Sequence, residues 1–334
     1  MQTRYKTIQI LLILLLLVAS CAPGSFVLSV QAAGNIYYVA VTGNDGNPGS
    51  ASQPFQTIQK AADIVNPGDT VLVNDGVYTK VAGTACSDIP TVLCLTRGGT
   101  PSAWVTFKSI NRGGAKLSGQ NHSVELGVRT VGSNSSYIEV NGFEVYDTAG
   151  DAFILNVIGQ TDFRIVNNHI HSIGKICVPM FDSVGISVVY TVAQRTSLIG
   201  NAIHDIGRLQ DGEAGCSTTD IYHNHDHGVY APGEPYGSGA HDLTVINNLF
   251  YDVIDGWPIA PGPGAVTNMT VVNNTFADAN PVQSGQILYF NTDTISNAQV
   301  ENNIFYAPNT AAIYYYSGAY TFNSACVRST CSLR

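Results

Sequence analysis

The sequence predicts an all-β solenoid, and two recurring signals with near-constant spacing predict it. One is a Gly that opens a short apolar strand, at Gly150, Gly185, Gly228, Gly256 and Gly285. The other is an Asn in a second strand, at Asn168, Asn201, Asn248, Asn274 and Asn303. From each Gly to the next Asn the distances are 18, 16, 20, 18 and 18 residues. A single globular core gives no reason for such a repeat, whereas stacked coils place the same position above itself at every turn.

Residues 1–33 read as an export leader. Arg4 and Lys6 precede the apolar run 8–18, and Val18-Ala19-Ser20-Cys21 resembles a bacterial lipobox, which would make Cys21 the lipidated N-terminus of a surface lipoprotein anchored in a membrane. Cleavage after Ala32 would instead release a secreted protein. The apolar run is short of a bilayer span. Residues 34–119 form an entry module, with strands at 35–40, 70–74 and 104–108. A short amphipathic helix at 57–65 carries Ile58, Ala61, Ala62 and Val65 on one face. Laid across the open end of the solenoid, it would cover unpaired backbone and core. Coils fill residues 120–334. Their Asn side chains are expected to form an amide ladder, and Val140, Val166, Ile199, Ile246 and Val272 an aliphatic row inside the tube.

Only 12% of residues are charged, which suits tight turns and extended coils. Removing the leader takes away two positive charges, so the net charge moves from −9 to −11. That argues against a nucleic-acid partner, whose phosphates need Lys and Arg. Besides Cys21 there are six cysteines, and export permits disulfides. The local pairs are Cys86–Cys94, Cys177–Cys216 and Cys326–Cys331, although sequence alone does not fix connectivity.

The stretch from Tyr37-Tyr38-Val39-Ala40 through Gly76-Val77-Tyr78 resembles the opening of the pectate-lyase-like group, including family 9 polysaccharide lyases. The resemblance implies a right-handed parallel β-helix with a short N-terminal capping helix, and a polysaccharide as partner. It does not carry the family's machinery over. Family 9 lyases hold Ca²⁺ in an Asp cluster and use a Lys as proton abstractor. Here five of six lysines precede residue 120, and no run of adjacent aspartates lies on a repeat strand. Ca²⁺ stays open as a cofactor, and a monomer is expected.

Function is expected where the repeat is interrupted. Counting from each Asn to the next Gly, long insertions fall at 169–184 and 202–227, at the same corner of neighbouring coils. Cys177 and Cys216 would tie these insertions together. Seven of the eight His lie between 169 and 241. In the extended segment 222–230, His223, His225 and His227 project to one side, and Tyr230 faces outward if Val229 faces the core.

His225, His227, Tyr230 and Arg208 are the catalytic candidates: a His and a Tyr as an acid/base pair for β-elimination, and an Arg fork for a sugar carboxylate. His204, Asp205, Asp255 and Lys175 are candidates for binding substrate. Asp220, Asp226 and His223 are candidates for holding a metal. The same His cluster would also suit loop hydrogen bonding, and Asp205, Asp226 and Asp255 leave a two-carboxylate glycosidase open. Two classes therefore compete: an exported enzyme cleaving a polysaccharide, by elimination rather than hydrolysis, and a non-catalytic, surface-tethered glycan-binding or adhesin-like protein.

Overall fold

The structure, a computed structural model, describes residues 34–177, 186–209, 211–217, 225–253 and 256–279. Beyond these it describes 294–306 and the strands at 288–290, 313–315, 321–323, 326–328 and 331–333, with side chains in this C-terminal part described for 294–306. Among the described residues the strands form parallel sheets of ten, nine and eight strands and a short one of three. The chain visits the three large sheets in rotation. Ile138–Asn141 lies in the ten-stranded sheet, Glu144–Tyr146 in the nine-stranded and Phe153–Leu155 in the eight-stranded, before Thr161–Val166 returns to the first. This is a right-handed parallel β-helix, as expected.

The turn between the ten- and nine-stranded sheets explains the repeated Asn-Asn. The first residue of each pair takes the left-handed conformation, at Asn167, Asn247, Asn273 and Asn302, with φ between 54° and 57°. Gly142 and Gly200 occupy the same place at φ 79° and 69°, because an L side chain other than Asn resists that region. The second Asn buries its amide. Asn168 N–H donates to Asn201 Oδ1, Asn201 N–H to Asn248 Oδ1, Asn248 N–H to Asn274 Oδ1 and Asn274 N–H to Asn303 Oδ1, at 2.8–2.9 Å. The amide ladder is therefore present.

The aliphatic row needs correcting by one residue. Val140, Ile165, Leu198, Val245, Val271 and Val300 stack in register and are buried. Of the row expected from the sequence only Val140 belongs to it; Val166, Ile199, Ile246 and Val272 face outward, half-buried. The left-handed residue breaks the in–out alternation, so the inward position lies three residues before the ladder Asn rather than two.

A second correction concerns the insertions. Each begins with a whole strand of the nine-stranded sheet, His169–Ile173 and Ala202–Ile206. Ile170 and Ile203 point inward from these strands and pack in register with Val145 and Phe250. Phe250, Phe276 and Phe305 then continue as a stack with centroids 5.1 Å apart. Each such buried side chain contributes about 1.5–3 kcal/mol.

The N-terminal end is closed by the helix Ile58–Ala62, capped by Thr57, whose hydroxyl accepts the Lys60 N–H. Gln59 turns its buried amide onto the end strand Thr91–Leu95: Nε2 donates to the Cys94 carbonyl and Oε1 accepts the Cys94 N–H, both at 2.9 Å. An otherwise open sheet edge is thereby satisfied. The Cys86–Cys94 disulfide fastens the same strand.

Candidate functional site

The expected Cys177–Cys216 disulfide is formed and ties the two insertions together. Around them the chemistry-bearing side chains divide between two faces of the solenoid.

The first group borders the eight-stranded sheet. Its strands Leu126–Thr130, Phe153–Leu155, Ser187–Thr191 and His227–Ala231 bring Arg129, Ile154, Tyr190 and Tyr230 into one register column. Val229 is buried and Tyr230 half-buried, so Tyr230 faces outward as expected. Its ring stacks on Tyr190 at 5.7 Å and on His227 at 5.5 Å. His227 lies in turn against Trp257 at 5.4 Å, and its Nδ1 accepts the Trp257 N–H at 3.2 Å. Burial, helped by His225, pushes the His227 imidazole down to about 3. His227 is thus a neutral ring packed between aromatics. His225, half-buried, stands two residues before it.

Arg208 and Asp226 form a buried ion pair. Arg208 Nε donates to both carboxylate oxygens at 3.0 and 3.1 Å, and the backbone N–H groups of Arg208 and Ile186 add 2.8 and 3.0 Å bonds. The pair clamps the base of the second insertion. Asp226 is completely buried and these donors engage both of its oxygens, so the pair secures the loop base rather than presenting charge to solvent. Asp220, His223 and Asp255 lie outside the described residues, as do Cys21 and the side chains of Cys326 and Cys331.

Asp151, at the entrance to the same sheet, escaped the sequence reading. Its Oδ1 accepts the Ser187 N–H at 2.5 Å. Burial, against that bond and with the charges of Glu125 and Asp226, pushes its carboxyl up to about 7. Burial and then the charge of Asp151 raise Tyr190, and burial and then Tyr190 raise Tyr230. The result is a carboxyl that titrates near neutrality and acts on Tyr190, whose phenol, like that of Tyr230, keeps its proton. Arg129 lies two strands along the column. Its Nη1 reaches Asp88 at 2.7 Å, while its buried Nε has no acceptor among the described residues.

Asp151 and His227 oppose each other in acid. The unfolded chain protonates His227 below 6.5 while the folded protein resists until about 3, so that contribution to stability is lost as pH falls. Asp151 keeps its proton up to about 7 when folded but ionises above 3.8 when unfolded, so its contribution grows as pH falls. Each slope is at most about 1.4 kcal/mol per pH unit. Asp151→Asn should therefore steepen the fall of unfolding free energy between pH 6.5 and 4 in urea titrations. Parallel curves for variant and wild type would contradict this balance.

The second group covers the outer face of the nine-stranded sheet. Tyr146, His171, His204 and Tyr251 stack in register, with centroids 5.6, 5.2 and 4.3 Å apart. His169 lies beside them, its Nε2 2.8 Å from His204 Nε2. His171 Nε2 is 3.2 Å from Glu144 Oε1, and Lys116 Nζ is 2.6 Å from Glu144 Oε2. Burial, then the neighbouring imidazoles, hold His204 down to about 4, and burial and then His171 lower His169. Lys175 pairs with Asp205 at 2.9 Å at the edge of this face. Of the expected substrate-binding set, His204, Asp205 and Lys175 therefore gather here, on a different sheet from His227 and Tyr230. Alternation within the strand text HIHSI, once recognised as a strand, is the signal that places His169 and His171 outward.

Comparisons place these faces on a known scaffold. A family described as "Right handed beta helix region" matches residues 154–327, and one described as "Protein of unknown function (DUF1565)" matches residues 41–203. No curated protein matches the sequence. Among solved structures, a rhamnogalacturonan lyase superposes with a TM-score of 0.56 at 16% identity, covering 87% of this chain and 74% of that one. XylC in complex with xylose gives 0.55 at 13%, covering 81% and 62%. The GH136 lacto-N-biosidase from Eubacterium ramulus gives 0.50 at 11%, covering 86% and 68%.

Proposed function

We propose, from the premise that this chain belongs to the right-handed β-helix family, that it is an exported enzyme cleaving an extracellular polysaccharide along the outward face of the eight-stranded sheet. The observation that carries the reading is the Asp151 carboxyl, poised to titrate near 7, whose charge reaches Tyr190 of the Tyr190–Tyr230 stack. An acid or base works best when its pKa lies near the operating pH. Aromatic rings give sugar rings an apolar platform, and a polymer laid along the solenoid axis meets a new coil about every 4.8 Å. That sugar-active proteins share this scaffold is consistent with the reading.

In the proposed elimination the Arg129 guanidinium, through a nitrogen other than its buried Nε, donates to the uronate carboxylate and Asp151 removes the C5 proton. The C5–H electron pair forms the C4–C5 double bond as the C4–O4 bond breaks, and a Tyr190 or Tyr230 phenol protonates the departing O4. Of the residues singled out in the sequence, Tyr230 keeps a chemical role. Arg208 and His227 hold the floor beneath it, and Asp226 anchors Arg208. A second reading, hydrolysis with Asp151 as the acid, is favoured by the neighbouring Glu125 carboxylate, whose charge acts on Asp151.

The test is turnover of a panel of uronate and neutral polysaccharides, followed by the ultraviolet absorbance of the new double bond and by reducing ends. Elimination raises both signals, and hydrolysis raises only the second. Glycan binding with no turnover on any polymer would leave the adhesin-like alternative in place.

A further inference from the structure

We propose that the outer face of the nine-stranded sheet binds a divalent transition ion of the zinc class through Glu144, His169, His171 and His204. Among the described residues, one group brings three metal-type donor atoms within 4.8 Å of one another: Glu144, His169 and His171. His204 joins them through its Nε2, 2.8 Å from His169 Nε2.

Two of the separations can be set against those of atoms that share an ion. Two ligands about 2.1 Å from Zn²⁺ lie about 3.0 Å apart at a right angle and about 3.4 Å apart at the tetrahedral angle. The His171–Glu144 pair at 3.2 Å falls within that range, and the His169–His204 pair at 2.8 Å lies just below it, so ligation would move these two rings slightly apart.

Hydrogen bonding around His171 fixes which ring nitrogen faces Glu144. Ser172 Oγ donates to Asp205 Oδ2 at 2.8 Å, since an ionised carboxylate only accepts. Ser172 Oγ is then free to accept at 3.1 Å from His171 Nδ1, which must carry the ring proton. His171 Nε2 then faces Glu144 Oε1, an acceptor, and either a second ring proton or a metal ion supplies the positive centre that this contact needs. Lys116 takes the other carboxylate oxygen and leaves Oε1 available.

A set of three imidazoles and one carboxylate suits Zn²⁺ and its neighbours. Ca²⁺ takes oxygen ligands instead. A carboxyl or hydroxyl that holds the outer nitrogen of a ligand imidazole is the usual second layer of such a site, and Ser172 and Asp205 supply it. The ligands come from three consecutive strands, so the ion would bridge three coils. The site lies on a different sheet from Asp151 and Tyr230, and it does not depend on the function proposed there.

The experiment titrates the chelator-stripped exported chain with Zn²⁺ by calorimetry and with Co²⁺ by visible absorption. One ion per chain is expected. His169→Ala and His171→Ala should each weaken binding by at least about 100-fold, and Ser172→Ala by about 10-fold, at the lower end of outer-layer effects. Asp151→Asn and His225→Ala should bind as wild type does. As a readout free of substitutions, Zn²⁺ should protect His169, His171 and His204 of the wild-type chain from diethyl pyrocarbonate while leaving His122 reactive. Unchanged affinity in the His169→Ala/His171→Ala double variant, unprotected histidines at saturating Zn²⁺, or no saturable binding below millimolar would each overturn the assignment.

Discussion

Asn248→Ala will lower the unfolding free energy by about 3–5 kcal/mol, far more than an ordinary surface change. Asn248 Oδ1 accepts both the backbone N–H and the side-chain amide of Asn201 at 2.9 Å. Its own Nδ2 donates to the Leu198 and Ile246 carbonyls and to Asn274 Oδ1 at 3.0–3.1 Å. Truncation leaves several of these groups dry and unpaired, and each buried orphan costs about 1–3 kcal/mol. Asn248→Asp restores the acceptor alone and buries a charge, so it should not rescue. Chemical denaturation measures the difference. A loss under about 1 kcal/mol would mean that water or a shifted backbone repairs the ladder.

Asp151→Asn will reduce turnover by about 10²–10⁴-fold while the folded signal in circular dichroism persists. The sign of the pH dependence then separates the two chemistries. As the base of an elimination, Asp151 must be ionised, and kcat/KM climbs as pH rises through about 7. As the acid of a hydrolysis it must be protonated, and kcat/KM falls across the same range. Glu125→Gln removes a negative neighbour, stabilises the ionised form of Asp151 and moves that limb to lower pH in either case. A limb that stays in place in Glu125→Gln, or survives in Asp151→Asn, would assign the titration to another group.

The solenoid was legible in the sequence because stacking repeats one local pattern: the ladder Asn recurs in five successive coils, from Asn168 to Asn303. The Cys177–Cys216 bridge was legible because both cysteines fall at one corner of neighbouring coils. The inward row was misread because nothing in the letters Asn-Asn says that the first takes a left-handed backbone and resets the alternation. The strands 169–173 and 202–206 were absorbed into loops because polar His and Asp alternate with their buried Ile.

The candidate sites were harder to see for a physical reason. Glu144, His169, His171 and His204 lie on three coils, and only the register of the sheet brings them side by side. Asp151 looks like any turn aspartate, and its character comes from burial beside Glu125 and Asp226, which no local pattern records. The segment 222–230, dense in His, drew attention instead, yet His227 within it is a neutral packing ring.

The paired asparagines expose two chemically identical neighbours to different selection. The first needs only a backbone able to turn left-handed, and the chain already places Gly there at 142 and 200. The second must hand its amide to the coils on either side, which neither Gly nor Asp can do. The first Asn of a coil should therefore tolerate Gly while the second does not, and the doublet Gly200-Asn201 already has that form.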